Sequence, residues 1–276
     1  MAYPSQYPFV SHPCYSETRD NLWVRIHLPV ARICNVKCIF CDHSVGSSCH
    51  TSKPGYSATL MDSNEAIVRT FSEIEKNPRL KIVAISGPGE PLANNQTFTT
   101  LEGIRNQNEE LKFCLSTNGV LLEDTALKLK ELGVGSISVS MSAILPETAA
   151  QVYEWARIDG EILQGQKMGE SVILKQLAGI ERAVALGITV KVNSILIPNI
   201  NTKDIEYLSK QIADSGVSLQ NIVPLIQCGT SPKLRPPTME ELYMARQIAS
   251  KNIAQFTHCK QCRSDVVGVP GSDRIL

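Results

Sequence analysis

Six apolar, strand-like runs alternate with six amphipathic helical segments, and this alternation restricts the chain to an α/β architecture built on a parallel sheet. The strand-like runs lie at 24–31, 81–86, 112–116, 136–142, 189–196 and 221–227. The helical segments lie at 64–77, 97–107, 123–132, 172–186, 202–215 and 238–252. Ser63 and Thr202 stand where helix N-caps belong, and Gly133, Gly187 and Gly216 where a left-handed residue ends a helix. The pattern reads as (β/α)6, with functional loops gathered at the carboxyl ends of the strands. A chain of 276 residues with 43% hydrophobic content buries enough core for one such domain.

The motifs sit where that architecture wants them. Cys34-Asn35-Val36-Lys37-Cys38-Ile39-Phe40-Cys41 follows the first strand, Ser86-Gly87-Pro88-Gly89-Glu90-Pro91 the second and Ser116-Thr117-Asn118-Gly119 the third, while Ser140-Met141-Ser142 closes the fourth. Three thiolates in eight residues, with no fourth ligand at matching spacing, suit an iron-sulfur cluster that keeps one iron open. Zinc is the competing reading, with His43 as a fourth ligand. Gly87-Pro88-Gly89 reads either as an ordinary turn or as a close backbone approach to a ligand, where Glu90 would accept from an ammonium group.

The sequence has nine cysteines, an odd number that fits reduced thiols better than a secreted disulfide framework. Cys114 lies inside the third strand, where a cysteine is most often a small buried hydrophobe. Cys49 lies in a Ser-rich polar loop, where a ligand role explains a thiol better than packing does. Cys259 and Cys262 form a C-x2-C pair in a segment without periodicity, and Cys14, in His12-Pro13-Cys14-Tyr15-Ser16-Glu17, is a candidate partner for them from the other end. Cys228 has no evident mate.

Lys plus Arg and Asp plus Glu both total 27 without long blocks of one sign, so nothing in the charge pattern calls for nucleic acid or an anionic membrane. No basic segment leads into an apolar stretch at residues 1–13, and no apolar run approaches a membrane span. These features point to a soluble, cytoplasmic chain.

The triplet, with Phe40 before its last cysteine, resembles the signature of the radical S-adenosylmethionine (SAM) superfamily. Further segments resemble its NifB family of nitrogenase cofactor maturases over nearly the whole length. They are the Cys14 segment above, Arg25-Ile26-His27-Leu28-Pro29-Val30-Ala31, Gly87 through Asn94, Cys114-Leu115-Ser116-Thr117-Asn118-Gly119, Lys191-Val192-Asn193-Ser194, Pro236-Pro237-Thr238, and His258-Cys259-Lys260-Gln261-Cys262-Arg263.

The resemblance implies a partial (β/α)6 TIM-like barrel over 23–253, preceded by a tail at 1–22 with one cluster ligand and followed by a tail at 254–276 with the C-x2-C pair. It implies an enzyme that joins two [4Fe-4S] units and a SAM-derived carbide into the eight-iron precursor of the nitrogenase cofactor. One SAM molecule gives the methyl group and another the radical. Cys34, Cys38 and Cys41 would hold the SAM-binding [4Fe-4S] cluster, Cys49 and Cys114 one auxiliary cluster, and Cys14, Cys259 and Cys262 the other. Cys114 joins the triplet in the implied catalytic set, and Phe40, Gly87, Gly89, Glu90, Ser116, Asn118, Ser142 and Asn193 would line the SAM pocket. The implied partners are an iron-sulfur cluster donor, carrier and assembly proteins of the nitrogenase pathway, and a reducing electron donor.

Two departures stand out. Where the family has a His-His pair, one member of which ligates a cluster, this chain has Asp20-Asn21. Where the family has Asn-Glu-Ser after its counterpart of Cys49, this chain has His50-Thr51-Ser52, so His43 or His50 is the nitrogen donor left in that loop. Alternative readings are a divergent radical SAM enzyme with another substrate, and a cluster carrier without radical chemistry.

Overall fold

The computed structural model describes residues 6–41, 56–226 and 234–276. Its strands are β1 (Val24–His27), β2 (Val36–Cys38), β3 (Leu80–Ile85), β4 (Lys112–Thr117), β5 (Val134–Ser140), β6 (Tyr153–Ile158), β7 (Glu161–Leu163), β8 (Thr189–Leu196), β9 (Leu219–Pro224), β10 (Val266–Gly268) and β11 (Arg274–Ile275). Its helices are α1 (Ser63–Lys76), α2 (Asn95–Arg105), α3 (Leu122–Glu131), α4 (Pro146–Val152), α5 (Gly165–Ala185), α6 (Ile205–Asp214) and α7 (Met239–Ala249).

The main sheet runs β11-β10-β1-β3-β4-β5-β8-β9, and its six central-to-edge strands from β1 to β9 are all parallel. This is the expected six-stranded partial barrel. Helices cover its outer face, and Ile82, Ile85, Phe113, Ile137, Val190 and Val192 are completely buried. Each such side chain contributes about 1.5–3 kcal/mol through removal from water. No helix of the described residues is long and apolar enough to cross a membrane.

The segment after α7 spans the open side of the barrel. It first joins β9, where the Gln220 amide donates to Ala254 O (2.9 Å) and the Phe256 amide donates to Gln220 O (2.7 Å). It then crosses to the opposite edge, where β10 pairs antiparallel with β1 in the register Arg25 with Gly268 and Ile26 with Val267. β1 thereby gains a partner strand and β9 a bridge at Gln220 and Gln255, which covers part of the backbone edges that an open barrel would expose. A small cluster of Tyr15, Leu219 and Phe256, with Cys14 and Cys259 packed against it, fixes the N-terminal segment to the same place.

Several elements differ from the sequence pattern. The N-cap of α1 is Asp62, whose side chain accepts from the Glu65 amide in a full capping box; Ser63 is already inside the helix. Thr202 begins a single 3-10 turn, and α6 starts only at Ile205. Helix α5 starts at Gly165, before the expected 172, because Gly169 allows α4 to pack against it: a Cβ there would lie 2.3 Å from Pro146 O. Tertiary contact outweighs the low helix propensity of glycine. A second sheet, β2-β6-β7, was not expected. Its hairpin turns at Asp159-Gly160, both at positive φ (51° and 86°), as a tight primed turn requires.

Candidate functional site

Side chains at alternate positions of the parallel strands point into the barrel, and they line a cavity of about 320 Å³. Ser138, Ser140 and Ser142 follow this spacing at β5, Lys191, Asn193 and Ile195 on β8, and Asn221 and Val223 on β9. The lining also includes Cys14, Cys34, Cys38, Cys41, Cys114, Cys259 and Cys262. All seven are reduced. Thiols that are scattered over some 250 positions of sequence therefore meet at one cavity. Cys49, His43, His50 and Cys228 lie outside the described residues.

At one end stands the triplet. The Cys38 strand residue pairs with Tyr153 across the small sheet, and the Cys41 amide donates to Cys38 O (3.1 Å). The loop ahead of the triplet is fastened to the loop after β3. The Gly89 amide donates to Ala31 O (2.6 Å), and the Glu90 amide donates to Ile33 O (2.9 Å). Asn94 completes the joint, with Oδ1 accepting from the amides of Arg32 (3.1 Å) and Ile33 (3.0 Å) and Nδ2 donating to Ile33 O (2.8 Å) and Glu90 O (2.7 Å). A Cβ on Gly89 would lie 2.5 Å from Ile33 O, so the close approach this glycine permits is to the chain itself. Gly89 still lines the cavity, whereas Gly87 does not.

Glu90 is 3% exposed and anchors three donors: Oε1 accepts from Thr117 Oγ1 (2.5 Å) and the Leu92 amide (3.0 Å), and Oε2 from the Asn118 amide (2.6 Å). Burial pushes its carboxyl up to about 7, although all three hydrogen bonds favour the ionised form. Asn118 Nδ2 donates to Asn35 Oδ1 (2.8 Å). Phe40, Ser116, Asn118, Ser142 and Asn193 all line the cavity. Ser142 Oγ accepts from the Ile195 amide (3.0 Å), and Asn193 Oδ1 accepts from Asn221 Nδ2 (2.9 Å).

The other end gathers Cys14 and Cys114 with Cys259 and Cys262 from the crossing segment. Residues the sequence patterns did not single out surround them: His12, His27, Arg25, Lys191 and His258. Arg25 is completely buried, with Nε donating to His27 Nε2 (2.9 Å) and its other nitrogens to Gly268 O (3.0 Å) and Asp273 Oδ2 (3.1 Å). His12 Nδ1 accepts from the Cys14 amide (3.0 Å), which leaves the ring proton on Nε2, a buried atom without a partner. Burial and the charges of Lys191 and Arg25 hold the imidazole of His12 well below the usual range. The signal for Arg25, His27 and Lys191 is in the sequence: each is a charged or polar residue directly between buried aliphatic ones, Val24, Ile26 and Leu28 in the first strand-like run and Val190 and Val192 in the fifth. Asp20 and Asn21 are exposed, and neither lines the cavity.

The donor set fits iron-sulfur chemistry. Glu90 is the one acid among the described lining residues and is already engaged, so hard cations find little oxygen, whereas seven thiols supply soft ligands. Burial raises the thiols of Cys34, Cys114 and Cys262 to about 12 and that of Cys38 well above its usual value. Such thiols become thiolates only when a metal supplies the missing positive charge. Among the described residues, no three His, Cys, Asp or Glu side chains close around a single-ion point. A cluster is larger than one ion and takes its thiolates farther apart.

Comparison with known proteins agrees with this construction. The model of the radical SAM superfamily matches residues 28–212. SuiB of Streptococcus suis, solved with S-adenosylmethionine, superposes with a TM-score of 0.59 at 13% identity, covering 84% of this chain and 50% of that one. A radical SAM methyltransferase from Sphaerobacter thermophilus gives 0.58 at 17% identity, covering 85% and 64%. Fold and matched residues define a radical SAM protein, a class that works with a [4Fe-4S] cluster and SAM. The FeMo cofactor biosynthesis protein NifB of Klebsiella pneumoniae is 41% identical over 96% of this chain, and that of Methanocaldococcus jannaschii 37% identical over 96%. Within the radical SAM superfamily, the chain belongs to the NifB family. It spans 58% of the Klebsiella relative's length and 88% of the Methanocaldococcus one's.

Proposed function

We propose that this chain is a SAM-dependent maturase that joins two [4Fe-4S] units and a SAM-derived carbide into the eight-iron precursor of the nitrogenase cofactor. The observation that carries this reading is the meeting of seven thiols, from the triplet, a barrel strand and both terminal segments, around one cavity. When bound through Cys34, Cys38 and Cys41, a [4Fe-4S] cluster supplies an open iron corner for SAM and the electron for its reductive cleavage. Glu90 and the hydroxyl and amide groups of Ser116, Asn118, Ser142 and Asn193 orient the nucleoside and amino-acid parts of SAM. Phe40 shields it from water.

Cys14, Cys259 and Cys262 hold one substrate cluster, and Cys114 with Cys49 holds the other. Cluster-donor proteins, a carrier for the product and a low-potential electron donor are the partners this chemistry needs. The exposed Asp20 and Asn21 favour a second reading, a relative acting on a different substrate, because no nitrogen ligand reaches the cavity from there.

An anaerobic assay separates the readings. Cluster-loaded protein given dithionite and SAM is expected to release both 5′-deoxyadenosine and S-adenosylhomocysteine and to activate a cofactor-deficient nitrogenase. Cleavage without S-adenosylhomocysteine or activation would establish the divergent enzyme. Neither product, with clusters intact, would leave a carrier.

A further inference from the structure

Lys191 is 3% exposed and sits on β8 between the fully buried Val190 and Val192, with its side chain turned into the cavity. Its ammonium donates to Cys14 O (3.0 Å) and lies over the rings of Tyr15 (4.8 Å) and Phe256 (5.3 Å). Unlike Arg25, which is paired with Asp273, it has no carboxylate partner among the described residues. A buried cation without a counter-ion is costly, and two aromatic faces and one carbonyl replace only part of its hydration. A chain retains such a charge where an anion is to be bound. The contacts of the ammonium tie it to the terminal end of the cavity: it is bonded to the backbone carbonyl of Cys14, and the two rings beneath it, Tyr15 and Phe256, pack against Cys14 and Cys259.

We propose that Lys191 is the counter-cation of the cluster held by Cys14, Cys259 and Cys262, a positioning residue that neutralises the thiolate-bound cluster and sets its reduction potential. This inference rests on the assignment of those three thiols to a cluster. With the cluster absent, the lone ammonium is a liability. With it bound, the ammonium stabilises the more negative, reduced state more than the oxidised one, which raises the potential. The aromatic pair fixes the charge in place, and the bond to Cys14 O ties it to the ligand loop.

The test uses the full chain loaded anaerobically with iron and sulfide. The reporter is the reduced-cluster paramagnetic signal that Cys262→Ala removes; if Cys262→Ala removes none and iron is unchanged, the ligand assignment fails and the proposal with it. Given that reporter, Lys191→Gln is expected to shift its midpoint negative by at least about 59 mV, a tenfold change in the one-electron equilibrium. Lys191→Arg is expected to keep it at the wild-type value. Lys191→Met, uncharged like the Gln variant, is expected to shift the midpoint negative by at least as much, while its metal-free form melts no lower than wild type, since an unpaired buried charge has been replaced by an apolar group of similar length.

An unchanged midpoint in Lys191→Gln would overturn the proposal and leave the ammonium a packing element only. If the Gln variant does not fold, the Met and Arg variants decide. A midpoint kept in Arg and shifted negative in Met supports the counter-cation; a midpoint kept in both overturns it.

Discussion

The two ends of the cavity are built by different means. At the triplet end, the thiols come from one loop, closed on itself by Lys37 Nζ donating to Cys41 O (2.6 Å), and neighbouring strand-end loops hold it through the amides of Asn94 and Asn118 and the carboxyl of Glu90. At the terminal end, thiols from both terminal segments and from β4 meet among Arg25, Lys191, His12 and His27, and the meeting depends on a segment that crosses from β9 to β1. Contiguous sequence assembles the first end; closure of the whole barrel assembles the second. The first is therefore a local motif braced by its neighbours, and the second a cation-lined pocket that exists only in the closed fold.

The sharpest break between the ends comes from removing one thiol at each. With the triplet as the proposed seat of the SAM-binding cluster, Cys38→Ala would leave it two thiolates, and release of 5′-deoxyadenosine in an anaerobic assay is expected to fall to background. Cys262→Ala is expected to lower total iron while leaving that release near wild type. Loss of cleavage in both variants would merge the two ends into one centre, and retained cleavage in Cys38→Ala would refute the triplet's role.

Asn94 offers a finer cut, because its four hydrogen bonds serve the triplet end alone. Asn94→Ala removes all four hydrogen bonds by which the buried Asn94 side chain holds the exposed Arg32-Ile33 loop and the carbonyl of Glu90, and unfolding of the metal-free protein in urea is expected to show a loss of about 3 kcal/mol. The signal dependent on Cys262 is expected to persist in the folded fraction. A loss below about 1 kcal/mol would show that the loop before the triplet is held by other contacts.

The two ends also differed in how readable they were. The six parallel strands were plain from alternation, and 189–196 matches β8 residue for residue. The triplet, Glu90 and Asn118 were visible because local motifs follow strands. At the terminal end, Cys14 offered itself as a partner for Cys259 and Cys262 only because a vicinal thiol pair needs one, and the joining of Cys114 to Cys49 came only through family resemblance, since nothing local indicates which distant residues are neighbours. Lys191 and Arg25 carried a signal that the motif search did not use, a charge flanked on both sides by buried aliphatic residues within a strand. The β6-β7 hairpin was likewise legible in its Asp159-Gly160 turn between alternating residues. Its purpose, pairing Tyr153 with Cys38 and so fixing the middle cysteine, follows only from the fold.

The smallest expected effect concerns Glu90, and it tests whether the triplet end awaits a cation as the terminal end awaits an anion. Its carboxyl titrates near 7 in the folded protein against an ordinary value of 4.5, so between these values the native state holds a proton that the unfolded chain has released. Stability of the metal-free protein contributed by this group is therefore greatest below about pH 4.5 and declines as pH rises to about 7, by about 2 kcal/mol between about pH 5 and pH 7. The buried His12 and His27, held low by burial, act in the opposite direction, so the comparison must be with Glu90→Gln, which keeps both histidines. The wild-type stability minus that of the variant is expected to decrease across this range. An ammonium group brought by SAM would favour the ionised carboxylate, so SAM affinity of the cluster-loaded wild type is expected to rise over the same interval and that of Glu90→Gln to stay level. Parallel affinity curves would assign Glu90 entirely to holding Thr117, Asn118 and Leu92 in place, and the polarity contrast between the two ends would then rest on the terminal end alone.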